Sequence, residues 1–173
     1  MARIRREEMS HAAKGGIIAG LAAGVVSTLI GLIATLSNGG DAWMALKGAG
    51  APFLGARAMA PGFDAGAVLV GLLCHYLVSA GWGLLFGLLF YGFSRAATLG
   101  LGALWGIVVW LGMYYVVLPL VGLGEMARSV PVGMAIVSHV IFGLALAAAF
   151  LPFQRHVERP LGPRLTTPAE TAP

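Results

Sequence analysis

Two histidines inside apolar segments are the residues of this chain best suited to chemistry. His75 lies in the uncharged run of residues 67–94, and His139 lies in the uncharged run of residues 130–153. Ionisable side chains inside such segments are rare, and they often mark binding sites or polar paths. An imidazole can donate or accept a hydrogen bond, carry a proton, or bind a metal ion or haem iron.

Each histidine interrupts a stripe of small residues that recur at every fourth position. The stripes are Gly71, His75, Ser79, Gly83 and Gly87 in one segment, and Ala135, His139, Gly143 and Ala147 in the other. A weaker match consists of Gly20 and Gly24 in the first apolar segment and Gly102 and Gly106 in the third. Residues four apart share one helix face, and small residues let membrane helices approach closely. We therefore predict that these small residues mediate helix packing.

The histidine pair has three interpretations. In the first, each neutral imidazole bonds a hydroxyl or carbonyl on another helix, which contributes about 0.6–2 kcal/mol in a membrane. Candidate hydroxyl partners are Ser27, Thr28, Ser79, Tyr114, Tyr115 and Ser138. In the second, the pair forms a cofactor site for haem or a metal ion within the bundle. In the third, the pair belongs to a polar path for protons or a small solute.

The sequence lacks the signatures of the common enzyme classes. It has no phosphate-binding Walker loop, no zincin helix and no Ser-His-Asp set, and its single cysteine, Cys74, excludes a cysteine-based zinc cluster. The seven carboxylates lie outside the apolar runs, so none is available as a proton carrier inside them. We predict a protein that is not an enzyme, with no catalytic residues, no metal site and no cofactor other than the haem alternative.

The elements that must position the histidines are membrane helices. Hydrophobic residues make up 58% of the 173 positions and charged residues only 10%, against about 25% charged residues in soluble domains. Four uncharged runs, at about 15–37, 67–94, 98–123 and 130–153, are long enough to cross the roughly 30 Å hydrocarbon core. We predict an all-α polytopic membrane protein with four transmembrane helices, arranged as two related helical hairpins from an internal repeat. The second and third helices should be antiparallel neighbours.

The segments outside the spans predict the orientation. Residues 1–14 form a basic N-terminus, and residues 154–173 form a proline-rich tail that we expect to be disordered. With the N-terminus inside, the cytoplasmic segments hold eight Lys or Arg residues and the outer loops hold three. The positive-inside rule therefore places both termini in the cytoplasm. Basic residues that cluster beside apolar segments indicate a lipid partner rather than nucleic acid.

The outer loops carry weaker signals. In the long loop 38–66, residues 42–46 are expected to form a helical turn with Trp43 at headgroup level. Asp64 precedes the second helix and is expected to cap it. Arg57 and Arg128 are expected to pair with Asp64 and Glu125. The Gly102 to Gly106 spacing also serves homodimers of membrane helices, so a homo-oligomer or a larger membrane complex is a further expected partner.

The order of these features resembles the YagU-like group of bacterial inner-membrane proteins. The residues that carry the resemblance are Gly20 to Ser27, His75, Trp82-Gly83, Phe86-Gly87, Pro119, Gly122-Leu123, Ser138-His139 and Phe142-Gly143. The resemblance covers most of the membrane part. It implies a location in the bacterial inner membrane, and it supplies no catalytic residues.

These observations give one leading functional hypothesis and two alternatives. The leading hypothesis is a non-enzymatic membrane protein, in which His75 and His139 organise the bundle or its assembly with itself or with a larger complex. The first alternative is a haem-binding or electron-transfer accessory subunit. The second is a small channel or transporter for a solute or a proton.

The topology is directly testable by labelling the two termini in intact and permeabilised cells. Because the basic residues are concentrated in the segments assigned to the cytoplasm, both ends are expected to be labelled only after permeabilisation. Labels that reach the two ends from opposite faces of the membrane would contradict an even number of spans.

Overall fold

The computed structural model describes residues 2–154, with side chains from residue 5 onward, and this part of the chain contains no strand. Four of its helices are long and apolar enough to cross a bilayer, and they comprise Arg5–Ser37, Ala65–Phe90, Arg95–Leu120 and Val132–Phe153. The prediction of an all-α polytopic membrane protein is confirmed. Except for Gln154, the tail that we expect to be disordered lies outside the described residues.

The helices follow one another through short turns. In chain order they are α1 (Ala2–Ser37), α2 (Ala42–Lys47), α3 (Ala51–Leu54), α4 (Ala56–Met59), α5 (Ala65–Phe90), α6 (Arg95–Gly112), α7 (Leu118–Leu120), α8 (Gly124–Ser129) and α9 (Val132–Phe150). Gly48–Gly50 and Leu151–Phe153 are 3₁₀ turns, and a π-helical segment, Met113–Val117, joins α6 to α7. We call the end of the bundle that holds the α5–α6 turn and Gln154 the terminal end, and the opposite end the loop end.

Most helix boundaries differ by a few residues from the predicted ones, and two of the differences have a visible cause or extent. Helix α1 begins at Ala2 and therefore runs through the basic segment that precedes the first apolar run. Helix α5 ends at Phe90, before the predicted limit of 94. The reason lies in the turn that follows, where Gly92 has a φ of +93° and the Ser94 hydroxyl accepts a hydrogen bond from the Ala97 N–H and so caps α6.

Helices α1 and α5 form the first close pair, and glycines bring their backbones into contact. A Cβ atom on Gly83 would overlap the carbonyl oxygen of Gly16 and the Cα of Gly20. A Cβ on Gly87 would overlap the carbonyl of Ala12, and Gly20 itself lies against the carbonyl of Ser79. The pair therefore packs along the predicted stripe of small residues on α5.

Helices α6 and α9 form the second close pair in the same manner. Gly102 lies against the Gly143 carbonyl and the Ala147 side chain, and a Cβ on Gly106 would overlap the carbonyl of His139. The Gly102 to Gly106 face is therefore occupied by α9 of the same chain. It is not a free surface for a homodimer.

The two pairs join along α1 and α9, and between α5 and α6 through side chains. Trp105 on α6 packs edge-on against Trp82, Phe86 and Phe90 of α5, with ring centroids 5.8, 6.1 and 5.6 Å apart. Helices α5 and α6 are neighbours as predicted, but large aromatic side chains hold their backbones apart. Buried residues of α1 and α9, including Ala23 and Phe150, complete this core.

Gln154 fastens the terminal end of the bundle. Its Nε2 donates to the Phe90 carbonyl at 2.9 Å and to the Thr98 hydroxyl at 2.7 Å, and its Oε1 accepts from the Gly92 N–H at 2.8 Å. The side chain is buried, so these bonds satisfy polar groups that lipid cannot solvate. Gln154, which follows the last membrane helix, thereby fixes the position of the α5–α6 turn.

One of the small residues predicted to pack spanning helices contacts a different element. Gly71 lies against the short helix α2, at Leu46 and Lys47, rather than against another spanning helix. Ala135 is buried and offers its carbonyl to His139 one turn later. Gly71 lies toward the loop end, where α2 takes the place of a spanning helix as its packing partner.

Glycine packing is testable with a matched pair of substitutions on α5. Gly83→Ala places a methyl group on the backbone of α1 and is expected to reduce the free energy of unfolding by about 1–3 kcal/mol. Gly81→Ala is the control, because nothing lies within 4 Å of a Cβ there, and it should be neutral or slightly stabilising. Reversible unfolding in mixed micelles measures both. Equal effects of the two substitutions would contradict the close pair.

Candidate functional site

His75 and His139 lie in the wall of one cavity inside the bundle. This central cavity has a volume of about 90 Å³, and its other lining residues are Ser27, Val78, Ser79, Trp82, Val109, Met113 and Phe142. Both histidines are half-buried, one on α5 and one on α9. The structure therefore places the two residues that the sequence singles out in the wall of the same cavity.

His75 connects α5 to α1. Its Nε2 lies 3.0 Å from the carbonyl oxygen of Gly24, which also accepts a bond from the Thr28 hydroxyl at 2.9 Å. A carbonyl oxygen only accepts, so His75 donates through Nε2–H, and in the neutral ring Nδ1 keeps a lone pair. The absence of a side chain on Gly24 lets α5 come close enough for this bond. The predicted hydrogen bond to a carbonyl on another helix is confirmed for His75.

His139 bonds within its own helix. Its Nδ1 donates to the Ala135 carbonyl at 2.8 Å, and its ring meets Tyr114 edge-on with centroids 5.6 Å apart. The prediction of a bond to another helix is wrong here, because the carbonyl one turn earlier is the nearest acceptor. The Ser138 hydroxyl is 3.4 Å from the same nitrogen and mainly bonds the Ala135 carbonyl. Tyr115, another predicted partner, is exposed.

A second cavity lies against His75 on the side of the loop end. It has a volume of about 180 Å³ between α1, α2 and α5, and it shares Ser27 and His75 with the central cavity. On the terminal side of the central cavity lie the packed side chains of Phe86, Trp105 and Leu146. Within the described residues, the two cavities therefore adjoin at Ser27 and His75, and packed side chains lie on the terminal side of the histidine pair.

The loop of residues 38–66 is folded over the loop end of the bundle. Lys47 is only 1% exposed, and its Nζ donates to the carbonyls of Ala60 and Gly62, the latter at 3.0 Å. Asp41 accepts from the N–H groups of Trp43 and Gly62, at 2.7 and 2.5 Å, and these bonds lower the pKa of its carboxyl group. The helical turn expected at residues 42–46 is confirmed as α2, whereas the role of Lys47 was not predicted.

Asp64 ties the loop to the start of α5. Its Oδ1 caps α5 by accepting from the Ala67 N–H at 3.0 Å, and Arg57 binds both carboxylate oxygens, at 2.6 and 2.8 Å. The bond from the Arg57 guanidinium, with that from the backbone of Ala67, lowers the Asp64 pKa to about 2. The predicted cap and ion pair are confirmed, as is the pairing of Arg128 with Glu125.

The geometry limits what the central cavity holds. Pockets for drug-sized ligands and cofactors measure about 300–1,000 Å³, so a cavity of about 90 Å³ is too small for a haem macrocycle. Its two imidazoles and two serine hydroxyls are suitable partners for a few water molecules. In the described part of the chain, no three His, Cys, Asp or Glu side chains converge as a metal site.

Comparison with models of known protein families, with curated proteins and with solved structures finds no match for this chain. The resemblance to YagU-like proteins therefore stays a prediction from the residues that carry it.

The capping role of Asp64 predicts a defined pH dependence. A carboxyl group whose pKa is lowered from 3.8 to about 2 contributes stability above pH 4, and this contribution is lost as the pH falls toward 2. The difference in unfolding free energy between wild type and Asp64→Asn should therefore shrink over this range. Glu125→Gln is the comparison: Arg128 lowers the pKa of Glu125 too, but Glu125 is exposed and caps no helix, so its change with pH should be smaller. A difference for Asp64→Asn that does not change with pH would contradict the assignment.

Proposed function

We propose that this chain is a non-enzymatic protein of the bacterial inner membrane that acts as an assembly or accessory subunit, with a bundle organised by its histidine pair. The observation that carries the proposal is the bond from His75 Nε2 to the Gly24 carbonyl. It joins two spanning helices in the part of the bundle where polar cavities interrupt the packing. A fixed bundle of this kind presents a defined outer surface to a partner.

The contact registers of the two close pairs support a repeated hairpin. Gly20 packs on the carbonyl of Ser79, and Gly102 packs on the carbonyl of Gly143. Ser79 and Gly143 each follow the histidine of their helix by one turn. We infer that α1–α5 and α6–α9 are copies of one unit, related by an approximate twofold axis along the membrane normal.

The two alternative functions fit the geometry less well. The volume of the central cavity, about 90 Å³, counts against haem between the imidazoles. A channel needs a path on both sides of the histidines, and the aromatic core occupies the terminal side. The hydrogen bond between α1 and α5 depends on both the position and the N–H donor of His75. A structural role for His75 therefore accounts for more of the observed contacts than haem binding or transport does.

The charges at the loop end support the orientation with both termini in the cytoplasm. All three basic residues there have local partners, since Lys47 bonds loop carbonyls, Arg57 pairs with Asp64 and Arg128 pairs with Glu125. Three carboxylates at the same end offset them. The basic residues of the terminal end include Arg5, Arg6, Lys14 and Arg95. This excess of positive charge is what the positive-inside rule expects of the cytoplasmic face.

The proposal is tested by leucine substitution of each histidine. His75→Leu removes a bond between helices and is expected to lower the free energy of unfolding by about 0.6–2 kcal/mol. His139→Leu is the matched control, because its bond lies within one helix and its loss should cost less. Unfolding in mixed micelles measures stability, and cross-linking in native membranes measures assembly.

The competing functions give different results in the same variants. Proteoliposomes that contain wild type and the double variant are assayed for proton and solute flux. A double variant with unchanged stability and assembly, together with the loss of a flux that wild type shows, would refute the proposal in favour of a transporter.

A further inference from the structure

A cavity of about 310 Å³ lies between α5 and the π-helical segment that continues α6, in the half of the bundle toward the loop end. We call it the lateral cavity. Its wall on α5 includes Cys74 and Leu77, and its wall on the π-helical segment includes Met113 and Val117. Phe53 of α3 contributes to its roof. No residue described above as part of the aromatic core fills this space.

The lateral cavity follows from the way α5 and α6 pack. Their backbones are held apart by aromatic rings, which fill the gap only toward the terminal end, around Trp105. Toward the loop end the facing residues of α5 are the smaller side chains of Cys74 and Val78. Toward the loop end the helices are equally far apart but these aromatic rings do not lie between them, so a space remains.

The chemistry and depth of the lateral cavity indicate an apolar occupant. Apart from His75, the side chains that line it are apolar or, at Cys74, a thiol. Cys74 lies about 14 Å along α5 from its start, which is inside the hydrocarbon layer. Apolar cavities do not retain water, and the volume falls in the range of natural ligand pockets.

The shape of the lateral cavity and its neighbour fits a ligand that has a long apolar chain with one end at the membrane surface. A second cavity, of about 400 Å³, lies next to the lateral cavity at the loop end. The two share Pro52, Val121, Leu123 and Met126 in their walls. An occupant can therefore extend from the hydrocarbon layer to the outer loops, which is the path of a lipid chain below its headgroup.

We propose that the lateral cavity binds one acyl chain of a phospholipid from the surrounding bilayer. The phospholipid leaflet at the loop end is the adjacent source of such chains, because the cavity lies in that half of the bundle. The bound chain packs against Cys74 and Val117, and its headgroup lies at the loop end beside the second cavity. This role is independent of the helix tie that His75 provides.

The first test is a matched pair of tryptophan substitutions. Val117→Trp fills the cavity, whereas Val116→Trp places the same side chain at an adjacent position that is exposed and does not line it. Native mass spectrometry should find phospholipid retained by wild type and by Val116→Trp, and about tenfold less occupancy in Val117→Trp. Equal retention by both variants would overturn the proposal.

The second test uses the only cysteine of the chain and needs no substitution. In delipidated wild-type protein, held in a rigid steroid detergent, Cys74 is alkylated with N-ethylmaleimide with and without dioleoyl phosphatidylethanolamine. A bound acyl chain should slow alkylation about tenfold. A rate that does not change with phospholipid would overturn the proposal, as would protection by an isoprenoid quinone alone.

Discussion

The close approach of backbones at glycine is the constraint on which the rest of this structure depends. In a bilayer no hydrophobic force drives one apolar helix against another, so helices associate where small residues allow dense contact and where polar groups find partners. Gly16, Gly20 and Gly83 meet in one such interface, and Gly102 and Gly143 meet in the other. Each interface joins two helices into a hairpin-like pair, and everything else in the bundle fills the space between the pairs.

That space has two different halves. Toward the terminal end, the rings around Trp105 and the bonds of Gln154 occupy this space, so this half is closely packed. Toward the loop end, the same helix separation leaves the central cavity with its two imidazoles and the lateral cavity beside it. The buried side chain of Lys47 holds the loop of residues 38–66 over this half through its bond to the Gly62 carbonyl. One packing geometry therefore produces both a rigid base and a region with room for small molecules or lipid.

Local features of the fold were predictable from the sequence, whereas features that depend on three-dimensional distance were not. Uncharged length predicts the four spans, four-residue spacing predicts the packing faces, and the position of Asp64 before an apolar run predicts a cap. The own-helix bond of His139 could not be predicted, because its acceptor competes with groups on other helices at distances that the sequence does not contain. The same holds for Lys47, whose burial depends on how a long loop folds back on α5.

Solid-state NMR of the protein in lipid bilayers tests the central claim most directly. With ¹⁵N-labelled histidine and ¹³C-carbonyl-labelled glycine, the Nε2 of His75 should show a dipolar coupling to the Gly24 carbonyl carbon that corresponds to about 4 Å or less. The coupling should be absent in His75→Gln, which identifies the pair. A wild-type spectrum without it would contradict a bundle in which glycine contact brings α1 and α5 close enough for the histidine tie.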